Sequence, residues 1–283
     1  ITIGVGLVVT PVLIGGYFGF PKMGIISPAL ATILGNLAVL VFLILYLKRK
    51  QHPLKLDWAL LKNIRHQPQL SKTILKLGVP TGVQMVTTSV AGLVIVGLVN
   101  RYGAEATAAY GAVNQVLNYI QFPALSIAIA ASVFAAQAIG AGKSDLLNKV
   151  TRTALIMNIL FTGGLVILAY LFSKYLMALF ITDPQVVVLG QKLLFIVLWA
   201  ILFFGASAIF ASIMRSSGTV TMPMLINIFA ILCIEVPAAY LFSRWWGLEG
   251  IWYAYALAFV SMCILQGLYY QFVWKKKTIE TLI

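Results

Sequence analysis

GIISPALATILGNLAVLVFLILYLKRK, residues 24–50, is the stretch that decides the fold. Residues 24–47 of it carry no charge, and Lys48, Arg49 and Lys50 then follow in a row. At about 1.5 Å per residue a helix of this run crosses the roughly 30 Å hydrocarbon core of a bilayer. Helix is the economical choice, because a lone strand leaves N–H and C=O groups unpaired in lipid. The alternating pattern of an outer-membrane barrel is absent.

Working outward, seven more apolar runs appear, at residues 3–20, 78–99, 107–139, 154–180, 189–214, 223–242 and 250–274. Of the 283 residues, 61% are hydrophobic and 10% charged, and mean hydropathy is +0.98. A soluble domain carries about 25% charged residues. These values exclude a soluble enzyme, a disordered chain and a disulfide scaffold. The fold expected is all-α: a polytopic helical membrane protein with eight transmembrane helices present.

Twenty Lys and Arg against seven Asp and Glu give a net charge of +13. In so apolar a chain this is a topology signal and not a nucleic-acid footprint. Fifteen of the twenty basic residues fall at one end of the spans, in the loops after the second, fourth, sixth and eighth. Only Lys22, Arg101, Lys174, Lys192 and Arg244 fall at the other. The positive-inside rule then places both ends of this chain in the cytoplasm of a multi-pass cell (inner) membrane protein. Trp245 and Trp246 are expected at the outer interface and Trp274 at the inner one. Cys233 and Cys263 lie in apolar runs and read as small buried hydrophobes.

Residues 48–77 read as a basic cytoplasmic linker and 275–283 as a cytoplasmic tail. Within the linker Asp57 suits the cap of a short amphipathic helix bearing Leu60, Leu61 and Ile64, lying on the inner leaflet. His52 and His66 have no ligand pattern around them, so no metal site is expected.

The chain also repeats itself. PKMGIISPALA, an apolar span and YLKRK in the first part match SRWWGLEGIWYAYA, an apolar span and VWKKK in the last. The spans before the two copies each carry a proline, Pro11 and Pro237. Residues 1–47 thus read as a copy of the final two spans, and 78–274 as a complete six-helix lobe. If the lobes are of equal length, four further helices precede Ile1, in a twelve-helix protein of two lobes.

Four motifs in order resemble the multidrug and toxic compound extrusion (MATE) family, in its DinF-like branch. They are LKLGVPTGVQ with Gly78 and Pro80; QAIGAGK with Gly140 and Gly142; RSSGTVTMP with Arg215, Gly218 and Pro223; and EVPAAYLF followed by GLEGIW. The resemblance covers essentially the whole chain. It implies two six-helix lobes around a central cavity. It also implies a secondary antiporter that exports organic, often cationic and aromatic, compounds in exchange for H⁺ or Na⁺ by alternating access, with no other cofactor. Many members of another branch carry a Glu about two turns into the first helix of this lobe and an Asp in its fourth helix. Here those regions hold Gln84, Thr87 and Thr88, and Phe204. The resemblance then moves coupling toward a first-helix Asp of the other lobe, outside this sequence.

Glu235 is the only acidic residue deep inside a span. A carboxylate there costs about 2.5 kcal/mol or more and so faces protein or water. It reads as a group that binds a proton or cation, or as a structural carboxyl near the Pro237 break; beside a coupling Asp in the other lobe, the resemblance makes it a secondary group or one unrelated to coupling. Asn114, Asn118 and Gln121 lie on one helix face, and Gln84 and Thr88 form a second polar stripe. Both stripes read as cavity lining or as hydrogen bonds between helices. Pro123 is placed to bend its long helix, and Ala131 and Ala135 suit close packing. Arg215 reads as a positive-inside anchor or a ligand for lipid phosphate. Met85, Met157, Met214 and Met262 suit either an adaptable cavity or the core. Glu249 suits the positive end of a helix.

No acid–base pair, Ser-His-Asp set, phosphate loop or zinc spacing is present, so no enzyme is expected. The partners expected are small organic substrates and membrane lipid, with no nucleic acid, for a monomer. The alternatives are a flippase for a lipid-linked saccharide, which would favour a strongly basic cavity, and a non-transporting membrane assembly subunit.

Overall fold

The computed structural model describes residues 2–17, 24–51, 68–143 and 145–276, and every regular element in them is helical. The chain divides into two compact units, Ile1–Pro68 and Gln69–Ile283.

The first unit pairs α1 (Thr2–Gly15) with α2 (Ser27–Arg49). Lys48 and Arg49 occupy the last turn of α2, where the helix dipole favours cations. α1 is shorter than the expected run. It stops at the Gly15–Gly16 pair, and its 14 residues fall short of the roughly 20 that span hydrocarbon. Seven helices, not eight, are therefore long and apolar enough to cross a membrane among the described residues.

The second unit holds the other six. α3 (Pro68–Val99) runs on through a 3₁₀ turn to Tyr102. It begins at Pro68, well before the apolar run at residue 78, because proline with its preset φ suits a first helical turn. Its first turns carry Lys72 and Lys76. The expected cap and amphipathic face (Asp57, Leu60, Leu61 and Ile64), both histidines and the tail beyond residue 276 lie outside the described residues. α4 (Ala104–Gly140), α5 (Leu146–Leu171), α6 (Pro184–Ser216), α7 (Thr221–Trp246) and α8 (Leu248–Phe272) complete the unit, with a short helix Ser173–Ala178 between α5 and α6.

Three of these helices are not regular α throughout. α5 widens to a π turn at Asn158–Thr162, α6 tightens at Leu198–Ala200, and α7 widens at Ala230–Glu235. The α7 bulge ends just before Pro237, whose missing N–H and ring would conflict with an unbroken α ladder. Pro123 lies inside α4 without ending it.

The two motif turns owe their glycines to helix ends. After α4 the Gly142 N–H donates to Ile139 and the Lys143 N–H to Ala138. After α6 the Gly218 N–H donates to Arg215 and the Thr219 N–H to Met214. Each is a paired C-cap that needs a left-handed residue, and Gly142 (φ 68°) and Gly218 (φ 79°) supply it. Gly140 is the last residue of α4 itself.

Two cores hold the unit. One gathers Ile95, Val113, Leu193, Leu198, Ile251 and Trp252 toward the α3–α4 turn. The other gathers Ala131, Ala135, Ile209, Ile213, Met214 and Tyr270 toward the motif turns. α3 enters only the first, through Ala91, Ile95, Leu98 and Val99.

Trp274 is not an interfacial anchor. It is buried, stacked on Tyr270 at 5.1 Å, and its indole N–H donates to Ser217 Oγ at 3.0 Å. An internal acceptor replaces the wet interface its N–H would otherwise need. Trp245 and Trp246 are exposed, at the opposite end. Cys233 is exposed and Cys263 half-buried, not buried as expected, because the outward faces of these helices are themselves apolar. Among the methionines, Met214 is in the core, Met85 and Met157 are exposed, and Met262 lines the cavity described next.

Candidate functional site

The second unit forms an open cavity of about 510 Å³ between α3, α4, α6, α7 and α8. Each helix contributes polar groups at the spacing that turns one face inward. α3 presents Gln84 and Thr88; α4 presents Asn114, Asn118 and Gln121; α7 presents Asn227 and Glu235; and α6 presents Ser207, Ser212 and Arg215. The two predicted polar stripes and the membrane-buried carboxylate thus meet in one space. Pro123, Pro237, Gly140, Gly142 and Gly218 do not line it.

Glu235 sits in the π turn of α7 and is 7% exposed. Among the described residues its carboxyl accepts no hydrogen bond and forms no ion pair. A buried charge normally has a partner, so this one is poised for something that enters the cavity. Near it the Tyr110 and Tyr255 hydroxyls are 2.9 Å apart. Neither tyrosine was singled out from sequence. The only signal was the aromatic run around Tyr253 and Tyr255, which reads equally well as core.

Aromatic rings join the amides in the lining, with Trp252 packed behind them. Trp252 packs on Tyr110 at 5.4 Å and on Tyr255 at 5.6 Å, and Phe259 packs on Phe204 at 5.2 Å. Phe204 and Phe259 give this part of the lining an apolar surface.

Arg215 departs from its expected place. Its guanidinium turns inward, and Nη2 donates to Gln84 Oε1 at 2.7 Å, while Nε is buried with no partner. The long aliphatic stem allows this, since an arginine at a helix end can send its head into a polar space as readily as to the surface. Two lining polar groups, one amide and one hydroxyl, have local roles instead. Asn114 donates to the Tyr110 carbonyl at 3.0 Å, and Thr88 to the Gln84 carbonyl at 3.0 Å. Asn118 and Gln121 make no side-chain hydrogen bond among the described residues, which leaves them free for a ligand. Gln266, buried on α8, donates to the Pro223 carbonyl at 3.0 Å and to Asn227 at 3.2 Å, fixing the lower wall.

A second polar cluster was also illegible in sequence. Asn158, in the π turn of α5, donates to the Leu202 carbonyl at 3.1 Å and accepts from Thr162 at 3.0 Å. It is buried and faces Gly205, where a Cβ would strike its amide. It holds α5 to α6 and lies outside the cavity lining.

A free carboxylate, free amides and aromatic rings lining one membrane-embedded cavity can hold a cation, an aromatic body or a proton. They do not form a nucleophile–base pair.

Comparison with known proteins agrees with this architecture. The MatE family model matches residues 80–241. The chain is 44% identical over 282 residues to "Probable multidrug resistance protein YoeA" of Bacillus subtilis, covering 99% of this chain and 61% of that protein. It is 25% identical to "Multidrug export protein MepA" of Staphylococcus haemolyticus, covering 94% of this chain and 58% of that protein. It thus spans about three-fifths of the curated relatives it matches. A crystal structure of the Vibrio cholerae MATE transporter VcmN superposes with a TM-score of 0.85 at 16% identity, over 98% of this chain and 61% of that one. An outward-facing multidrug resistance MATE family transporter superposes at 0.86 with 19% identity, over 98% and 62%. The match over more than half of the sequence, on a multi-pass helical bundle with this cavity, shows that the chain belongs to the MatE family.

Proposed function

We propose that the protein is a secondary active antiporter that exports organic compounds, cationic or aromatic, in exchange for H⁺ or Na⁺. The observation that carries this is Glu235: a buried carboxylate without a partner, in a cavity lined by both amides and aromatic rings. A cationic aromatic compound and a small cation compete for such a carboxylate, and that competition is the coupling an antiporter needs. Alternating access follows if the cavity is open to one side when Glu235 holds the ion and to the other when it holds the substrate. Names of relatives that refer to multidrug resistance and export support the same reading.

The distribution of basic residues supports a multi-pass protein of the cell membrane with both ends of this chain in the cytoplasm. We take the protein to act as a monomer, with substrate and membrane lipid as its partners.

The test is drug susceptibility in cells expressing the full-length protein, with and without an uncoupler or a sodium ionophore. Resistance to cationic aromatic compounds that collapses with one of the two gradients is expected. Resistance that ignores both gradients, or none at all, overturns the reading.

A further inference from the structure

At the end of the bundle opposite Arg215, the last turns of α3 and α7 come together. The Tyr102 hydroxyl donates to the Ser243 carbonyl at 2.9 Å. Beside this bond lies a separate pocket of about 510 Å³ lined by Leu98, Arg101, Tyr102, Tyr240, Ser243 and Arg244. Two of the four basic residues at this end of the second unit, Arg101 and Arg244 but not Lys174 or Lys192, therefore share one pocket. Both arginines are exposed, so water screens their mutual repulsion and leaves both guanidiniums accessible to one anion in the pocket. No carboxylate lines the pocket. Of the acids at this end, Asp183 caps α6 through the Gln185 N–H and Glu249 pairs with Lys192. Glu105, in the first turn of α4, pairs with neither arginine. Neither guanidinium makes a hydrogen bond or ion pair among the described residues.

The setting narrows the ligand. Trp245 and Trp246, next to Arg244, are 63% and 54% exposed and pack, tilted or edge-on, with Phe242 and Tyr253. Exposed indoles of a membrane protein lie at headgroup level. Leu98 and Tyr240 give the pocket an apolar wall beside its two guanidiniums. Planar guanidiniums pair with phosphate oxygens through two parallel hydrogen bonds.

We propose that Arg101 and Arg244 form a binding site for a phosphate-bearing anion, namely the headgroup of an anionic phospholipid in the leaflet at this end. The phosphate bridges α3 to α7, its acyl chains run down the apolar wall, and the Tyr102–Ser243 bond preforms the site.

The test is thermal unfolding of the full-length protein in detergent, titrated with phosphatidylglycerol, phosphatidylcholine or inorganic phosphate. Phosphatidylglycerol is expected to raise the unfolding midpoint by several degrees and phosphatidylcholine not to. That shift is expected to vanish in Arg101→Gln/Arg244→Gln, to be halved or more in each single variant, and to persist in Lys174→Gln, which removes a cation at the same end outside the pocket. Should the double variant fail to fold, the two single variants carry the test. Full stabilisation by inorganic phosphate keeps the anion site and overturns the lipid as its source. An equal shift with both lipids, or a shift unchanged in the arginine variants, overturns the proposal.

Discussion

Arg215 reaches from the end of α6 across the cavity and donates to Gln84 of α3 at 2.7 Å. α3 joins the core only through its far third, where the Tyr102–Ser243 bond and the Thr107 hydroxyl's bond to Asn100 Oδ1 at 2.9 Å also tie it to α7 and α4, so the Arg215 bond is the one side-chain hydrogen bond that holds its middle to another span among the described residues. α3 is thus clamped at its far end and latched at mid-length, the arrangement of an element that can swing when the latch opens.

That latch has a measurable strength. A hydrogen bond to a charged group contributes about 1.5–3 kcal/mol. A double-mutant cycle on the full-length protein with Gln84→Ala and Arg215→Ala is expected to show coupling of about that size in unfolding free energy. Gln84→Glu, which keeps the acceptor and adds a charge, should hold or strengthen it. Additive single effects would mean the bond contributes nothing.

Gly205 sets how closely α6 approaches α5. A methyl group there strikes the Asn158 amide, which is held by the Leu202 carbonyl and Thr162. Gly205→Ala is expected to destabilise the protein by about 1–3 kcal/mol through overpacking, read as a lower unfolding midpoint in detergent. Gly205→Ala with Asn158→Ala should recover part of the loss by removing the group in the way.

Tyr255 is expected to act through its ring more than through its hydroxyl. Tyr255→Phe keeps the aromatic wall and breaks only the bond to Tyr110, at about 0.5–1.5 kcal/mol of stability. Transport should stay near wild type. Tyr255→Ala removes a face that can hold a cationic aromatic compound, worth about 0.5–2 kcal/mol. The apparent affinity for such a compound should fall roughly two- to thirtyfold, as the concentration dependence of efflux will show.

Much of this site is legible in the residues. The positions of Gln84, Thr88, Asn114, Asn118, Gln121 and Glu235 follow from helical spacing inside apolar spans, and the structure brings them to one cavity. The direction of Arg215 is not legible, because an arginine at a helix end has a flexible stem and its choice depends on whether a neighbouring helix offers an acceptor. Trp274 shows the same limit: an indole beside lysines suits an interface until Ser217 on another segment supplies an acceptor. Nor are the π turns that place Asn158 and Glu235. One extra residue in a turn leaves the apolar pattern almost unchanged while rotating every later side chain. The end of α1 at Gly15 is hidden because the apolar run continues beyond it.

If Glu235 couples ion and substrate, its removal abolishes ion–substrate exchange by the purified full-length protein in liposomes. An imposed H⁺ or Na⁺ gradient is expected to drive uptake of a fluorescent cationic aromatic compound, and adding the compound should in turn release the ion. In Glu235→Gln, which keeps size and hydrogen-bonding capacity, both fluxes should fall at least tenfold while the unfolding midpoint stays close to wild type. Exchange at wild-type rate and stoichiometry in Glu235→Gln would contradict the account.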